Sequence, residues 1–485
     1  MHVTDYYRLD RTQGEVDFVD VNTATDNPVF IDPRAIRIQQ GDFIAQCVAC
    51  LVTFFTEVLD AIRLDDSDKV RTLMRRLGEP NETHLGYSAG LSRGRGLRGK
   101  SSDSVADAIT SSKAAQTGLL QDLEDTAFLV PGVGRDLLSD MATQIIRGPL
   151  VKYTQRVCGY YEIPLEEQYS GSAWSPDALE WEESYVALPR TPEGTLLLVP
   201  KSIVRHEPIF TNKKYFNGYI APLLEGQELQ ANTQLVRLLR NGQRIVTKKD
   251  LRDKYGDGKE QVVDQTLRFD RKPIELYRQK VGTITNPPLL NEDIAATIGA
   301  ENVDFMAAYR KIKAIRPGPD GASMYHRAVM DLLTAIFYPV LTNVKIEREI
   351  HHGRKRIDIT YDNNASAGFF SWVNRAFPFL LLPVECKNYE KDLKNPELDQ
   401  MIGRFSDFRG RLGMITCRSF DNKDLFLARC KDTANDRNGF VIILDDDDLK
   451  VLAADAAGLQ GEADRGKRFA YPLIRQRFEM LISAS

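Results

Sequence analysis

Cysteine is scarce in this chain. Only six occur in 485 residues, too few to staple a protein of this length, which excludes a disulfide-framed secreted fold. The first residues, MHVTDYYRLD, contain no basic stretch followed by an apolar one, so no secretion signal is expected. Long apolar runs are also missing. The longest, around Phe43 to Leu59, is broken by Asp42, Gln46 and Glu57, a mixture that argues against a bilayer span. Neither charge dominates: 64 Lys and Arg against 68 Asp and Glu leave a net charge of −4. The chain is therefore no polycation, and any contact with nucleic acid must come from local patches. Internal repeats and long low-complexity tracts are absent. The expectation is a cytoplasmic protein without membrane contact.

What is present is ordinary for a folded protein: 42% hydrophobic and 27% charged residues. The length exceeds one typical core and implies two or three domains. Residues 1–165 read as mostly helical, with strand-like openings (EVDFVDV, NPVFIDP) before long helical text. Residues 166–295 mix strand text (GTLLLVPKSIV) with charged helical text (NTQLVRLLRNGQRIVTKKDLRDKYG), and paired prolines after Thr285 suggest a linker. Cys47 and Cys50 form a C-x-x-C inside an apolar helical run. No second Cys/His pair follows at zinc-finger spacing, so they read as a buried pair.

Residues 296–485 carry the clearest rhythm. MYHRAVMDLLTAIFY has helical spacing, with Val329, Leu332, Leu333 and Ile336 on one face. NVKIEREI and RIDITY alternate as strands around a basic turn, HHGRKR. FPFLLLPVECK is nearly all apolar, as a central strand buried on both faces should be. PELDQMIGRFSDFRGR reads as an amphipathic helix placing Leu398, Met401, Ile402, Phe405, Phe408 and Leu412 on one side. LGMITC, DNKDLFLARCKD and GFVIILD complete the order αβββαβαβ, a mixed sheet with helices on its faces. The whole chain therefore reads as multidomain, with a helical N-terminal region, an α+β middle and an α/β C-terminal domain.

The apolar third strand ends in Glu385-Cys386-Lys387, and alternation puts Glu385 and Lys387 on one face. Asp358 stands in the strand before it. With the order of elements around them, these residues resemble the PD-(D/E)xK superfamily of restriction-endonuclease-like nucleases. The resemblance covers the C-terminal domain only. It implies phosphodiester hydrolysis, with Asp358, Glu385 and the Cys386 carbonyl as ligands of Mg²⁺, or of Mn²⁺ in its place. Mg²⁺ takes oxygen ligands at about 2.1 Å and keeps several waters. Lys387 would orient or deprotonate the attacking water, a role suited by a pKa lowered beside a cation. An E-x-K by itself is a weak signal, and the plain alternative is a surface ion pair at a strand end.

The pattern also departs from the family. Ile357, not proline, precedes Asp358. Where relatives carry a glutamate on the first helix, this chain has His326, which could bind metal through water or simply pack. Glu347 and Glu349 are alternative third acids, or solvent-facing strand residues. Asp358 and Glu385 stand 27 positions apart, which requires an insertion, in which Phe369, Phe370 and Trp372 suit a hydrophobic lid, a partner contact or plain packing. Gln400, Arg404, Asp407 and Arg411 form a polar stripe at helical spacing. Family resemblance makes Gln400 and Arg404 candidates for substrate-phosphate contact; an exposed face with an Arg404–Asp407 pair is the other reading.

Residues 94–101, GRGLRGKS, match the P-loop pattern literally. A P-loop must follow a buried strand and open a helix, and ETHLGYSAGLSR is no such strand, so an ATPase reading is set aside. Arg93, Arg95, Arg98 and Lys100 still make that loop cationic. A second basic region holds Arg237, Arg240, Arg244, Lys248, Lys249, Arg252 and Lys254. Either could meet a duplex backbone or be a solvated face. The expected function is a metal-dependent DNA endonuclease, as in prokaryotic restriction or phage defence. A homodimer or higher oligomer is expected, with sensing, specificity or assembly assigned to the N-terminal region, which could answer a protein partner or phage trigger. The alternative is a nucleic-acid-binding scaffold on an inactive nuclease fold.

Overall fold

The computed structural model describes residues 1–483 except 26, 79, 87–99, 208–210, 284–286, 351–354 and 391–392. The backbone of the P-loop-like segment from 94 to 99, with Arg93, Arg95 and Arg98, lies outside the described residues, as does most of the HHGRKR turn.

One hydrophobic core runs from Val3 to Ile298 and also takes in Tyr338. Its central helix is α1 (Asp42–Arg63), which buries Phe43, Cys47, Cys50, Leu51, Phe54 and Val58 along one side. That spacing is the one a core-facing helix needs. Both cysteines are free and buried there. By length and composition α1 could cross a membrane, despite the polar interruptions, and half of its apolar window is buried within the protein. α2 (Arg147–Tyr161) contributes Leu150, Tyr153, Val157 and Cys158 to the same core. A hairpin of Glu166–Ser175 and Glu180–Leu188 folds back on α1, and its cross-strand pair Trp174 and Trp181 packs on Phe54 at 5.1 and 5.5 Å. Residues on both sides of position 165 thus share one core.

Two segments differ from their sequence reading. GTLLLVPKSIV joins sheets only at its ends, Gly194–Thr195 and Val204, with a lone bridge from Pro200 to Phe18, and Leu196 to Val199 are buried without joining a sheet. The basic stretch after Asn232 is not one helix. Asn241-Gly242, with Gly242 at φ +82°, turns Arg237–Leu238 against Arg244–Ile245 in a small hairpin. Helix Lys248–Tyr255 starts afterwards, where the Thr247 side chain accepts from Asp250 N–H.

The second core spans Val303 to Phe478. Its sheet has five strands: β1 (Leu341–Ile350), β2 (Lys355–Asn363), β3 (Leu381–Lys387), β4 (Leu412–Cys417) and β5 (Phe440–Leu444), in the order β5-β4-β3-β2-β1. β1, β2 and β3 are antiparallel neighbours; β3, β4 and β5 run parallel. The chain is mixed α/β, with this mixed sheet near its C-terminus. β3 lies in the middle, and all seven of its residues are buried. One face packs on α3 (Phe305–Ala314) and α4 (Ala322–Phe337), through Leu382, Val384 and Cys386. α5 (Gly368–Ala376) occupies the insertion, where Phe369 and Phe370 are buried against Phe337, Tyr471 and Phe478. The other face packs on α6 (Asn395–Ile402) and α7 (Lys423–Asn435), through Ile415, Cys417, Val441 and Ile443.

α6 is shorter than the sequence suggested. It stops at Ile402, and a tight turn bridging Ser406 to Gly410 leads into β4. Leu412 is claimed by pairing with Phe440, so the helical stripe cannot continue, and Phe408 is 89% exposed. Arg404 is therefore not on the stripe, and Asp407 pairs with Arg411 at 2.7 Å instead.

Candidate functional site

The pairing of β2 with β3 ends at Ile359 opposite Val384. One residue further the strands part, with Asp358 on one and Glu385 on the other. The Asp358 carboxylate closes this end by accepting from the Cys386 N–H at 2.8 Å. Alternation turns Val384 and Cys386 into the core beneath α4, and so directs Glu385 and Lys387 to the α6 face.

Glu385 is completely buried, and its carboxylate is held from three sides. Arg404 Nε donates to Oε1 at 3.0 Å, Gln400 Nε2 donates to Oε2 at 3.0 Å, and Lys387 Nζ lies 3.4 Å from Oε2. Lys387 Nζ also donates to Gln400 Oε1 at 2.9 Å. Burial pushes the Glu385 carboxyl above its ordinary value, and the negative charge of Asp358 pushes the same way, against Lys387 and Arg404. Asp358 is 22% exposed, and His326 Nε2 of α4 lies 3.9 Å from its Oδ2.

All six candidate residues (Asp358, Glu385, Cys386, Lys387, Gln400 and Arg404) therefore meet at one strand end. Gln400 and Arg404, expected to face substrate, instead grip Glu385, and Arg404 is only 7% exposed. Glu347 and Glu349 pair with Arg356 at 3.4 and 3.5 Å on the exposed side of the sheet. Sequence reasoning missed Asn388. Its Nδ2 donates to the carbonyls of Arg316 and Gly318 at 3.0 and 2.8 Å, tying the loop before α4 to the end of β3. Only its place directly after the E-x-K could have flagged it.

The donor types suit a hard divalent cation: two carboxylates and a backbone carbonyl. Repulsion between Asp358 and Glu385 is what a bound cation would relieve. Among the described residues no group of three or more His, Cys, Asp and Glu side chains forms a metal cage. Carbonyl and water oxygens would have to complete the shell, as Mg²⁺ tolerates.

The chain's N-terminal part matches a known family. A family model described as a domain of unknown function (DUF8370) covers residues 8–212. The match lies within the first core and leaves the five-stranded sheet outside it. Neither a curated protein nor a solved structure matches the chain at a significant level.

Proposed function

We propose that the C-terminal domain is a restriction-endonuclease-like nuclease and the chain a metal-dependent DNA endonuclease. The observation that carries this reading is the meeting of Asp358, Glu385 and Lys387 on one face where β2 and β3 part. Asp358, Glu385 and the Cys386 carbonyl would hold Mg²⁺, with Mn²⁺ able to substitute. The bound metal supplies charge relief on the phosphoryl oxygens and acidifies a bound water. Lys387 orients the attacking water and takes up its proton. Gln400 and Arg404 fix the Glu385 carboxylate and reach the substrate phosphate when it enters. DNA is the substrate, a homodimer or higher oligomer the working state, and the cytoplasm the location. The N-terminal region senses, selects or assembles, answering a protein partner or a phage trigger; the setting in restriction or anti-phage defence rests on the family resemblance alone.

A second reading, a nucleic-acid-binding scaffold on an inactive fold, is favoured by one observation. Arg404 and Gln400 already occupy both oxygens of Glu385, and no third acid stands with the pair among the described residues. Plasmid cleavage separates the two. Under the endonuclease reading, nicking requires Mg²⁺ or Mn²⁺, stops in EDTA, and falls about a hundredfold or more in Glu385→Ala and Lys387→Ala. Full biological activity in cells of the doubly substituted chain would sink the endonuclease reading and leave the scaffold.

A further inference from the structure

Between the two cores lies a cavity of about 340 Å³. α2 lines one side with Arg156, Tyr160 and Tyr161; α4 and β1 line the other with His326, Arg327 and Lys345. A volume of this size suits a small ligand. Arg156 Nη2 and the Tyr160 hydroxyl are buried and have no hydrogen-bond partner among the described residues. Buried donors are normally satisfied, so two orphans on one cavity wall call for an acceptor. Burial raises the pKa of Tyr160, which keeps its hydroxyl a donor.

The nearby acids are already answered. Asp17, which lines the cavity with Glu347, accepts from the Tyr153 hydroxyl at 3.2 Å and lies in the field of Lys201 first and of Arg156 second, while Glu347 lies 3.4 Å from Arg356. Arg327 reaches Glu162 at 2.7 Å and Lys345 reaches Asp42 at 2.8 Å. Arg156 makes no ion pair among the described residues; its guanidinium stacks on the Tyr153 ring at 5.2 Å. A guanidinium edge next to a hydroxyl donor matches an oxyanion, phosphate above all. Phe18, Met330 and Ile359 give the cavity an apolar side, which suits the organic part of a nucleotide.

We propose that this cavity binds a phosphate-bearing molecule, clamped by Arg156 and Tyr160 of one core against α4 and β1 of the other. Two sources share this chemistry: a free nucleotide, and a phosphate of a nucleic-acid strand running to the candidate site. His326 lines the cavity and stands 3.9 Å from Asp358, so an occupant sits beside that site. The strand source rests on the endonuclease reading; phosphate binding itself does not.

Thermal unfolding of the full chain in EDTA tests it with no metal-dependent cleavage running. The probes are inorganic phosphate, adenosine monophosphate and a short 5′-phosphorylated single strand, each against chloride of equal ionic strength. The expected result is a saturable rise in Tm with a phosphate-bearing probe, its affinity about tenfold weaker in Arg156→Met and Tyr160→Phe. A rise with the mononucleotide assigns a free ligand; a rise with the strand alone assigns the substrate. No saturable rise over chloride, or a rise unchanged in both variants, overturns the proposal. Tyr160→Phe keeps the ring, so it remains informative if the arginine variant fails to fold. Because the measurement runs in EDTA, its outcome stands apart from the metal-dependent plasmid test of the endonuclease reading.

Discussion

Glu385 shows how far single residues could be read from the chain. Its type and direction followed from a strand's alternation and an apolar run that stops abruptly. Its partners did not, because Gln400 and Arg404 reach it only once α6 lies across the sheet. A second buried acid gives a pH test at this scale. Burial pushes the Glu124 carboxyl up to about 7, against the pull of Arg37 and with the help of Asp122 and Asp125. Between its ordinary 4.5 and about 7, the folded chain holds a proton the unfolded chain has lost. Stability therefore falls as pH rises through that window. Urea unfolding should show Glu124→Gln more stable than the native chain at pH 8, by on the order of 2 kcal/mol, with the difference gone near pH 4.5. An equal difference at both pH values would contradict this.

Among elements, the strands of the C-terminal sheet were the most legible and the basic stretch the least. Five strands appear where alternation or continuous apolarity marked them. The charged run was misread because an Asn-Gly turn and a Thr247 cap interrupt it, and local turn chemistry outweighs helical composition. The resulting hairpin and helix bring Arg240, Lys248 and Lys249 to the surface, where all three are exposed. Arg237 is tied to Asp250 at 2.8 Å, and Arg244 to Asn232 at 2.6 Å. If this unit holds duplex DNA, Arg240→Glu, Lys248→Glu and Lys249→Glu together should weaken binding. The salt slope in a fluorescence-anisotropy titration should drop by about one for each phosphate left without its cation. Unchanged affinity and slope would make it a solvated face.

At the scale of the molecule, specific contacts join the N-terminal core to the C-terminal sheet, which carries a core on each of its faces. Arg11 reaches Asp331 at 2.8 Å, and Asp42 takes both Lys345 and Arg348, at 2.8 and 2.9 Å. Gly41, just before α1, has φ +121°, and a Cβ there would run into the Asp362 carboxylate. Gly41→Ala should cost about 2–4 kcal/mol in urea unfolding, from backbone strain and overpacking together. Gly78→Ala, where nothing lies within 4 Å of an added Cβ, is the control. Equal stability of the two variants would show that the joint yields at little cost.

The sequence by itself determined the local things: the five strands, the helices before β1, after β3 and after β4, and the carboxylates and lysine at the end of β3. Periods of 2 and 3.6 and runs of apolar residues report backbone geometry and burial, and those act over a few neighbours. Only the tertiary structure decided that one core draws on residues from Val3 to Ile298, that α6 ends early, that Arg404 guards Glu385, and that a cavity lined by Arg156 and His326 lies between the cores. Each of these joins residues far apart in the chain, and such pairings are set by how whole faces fit together.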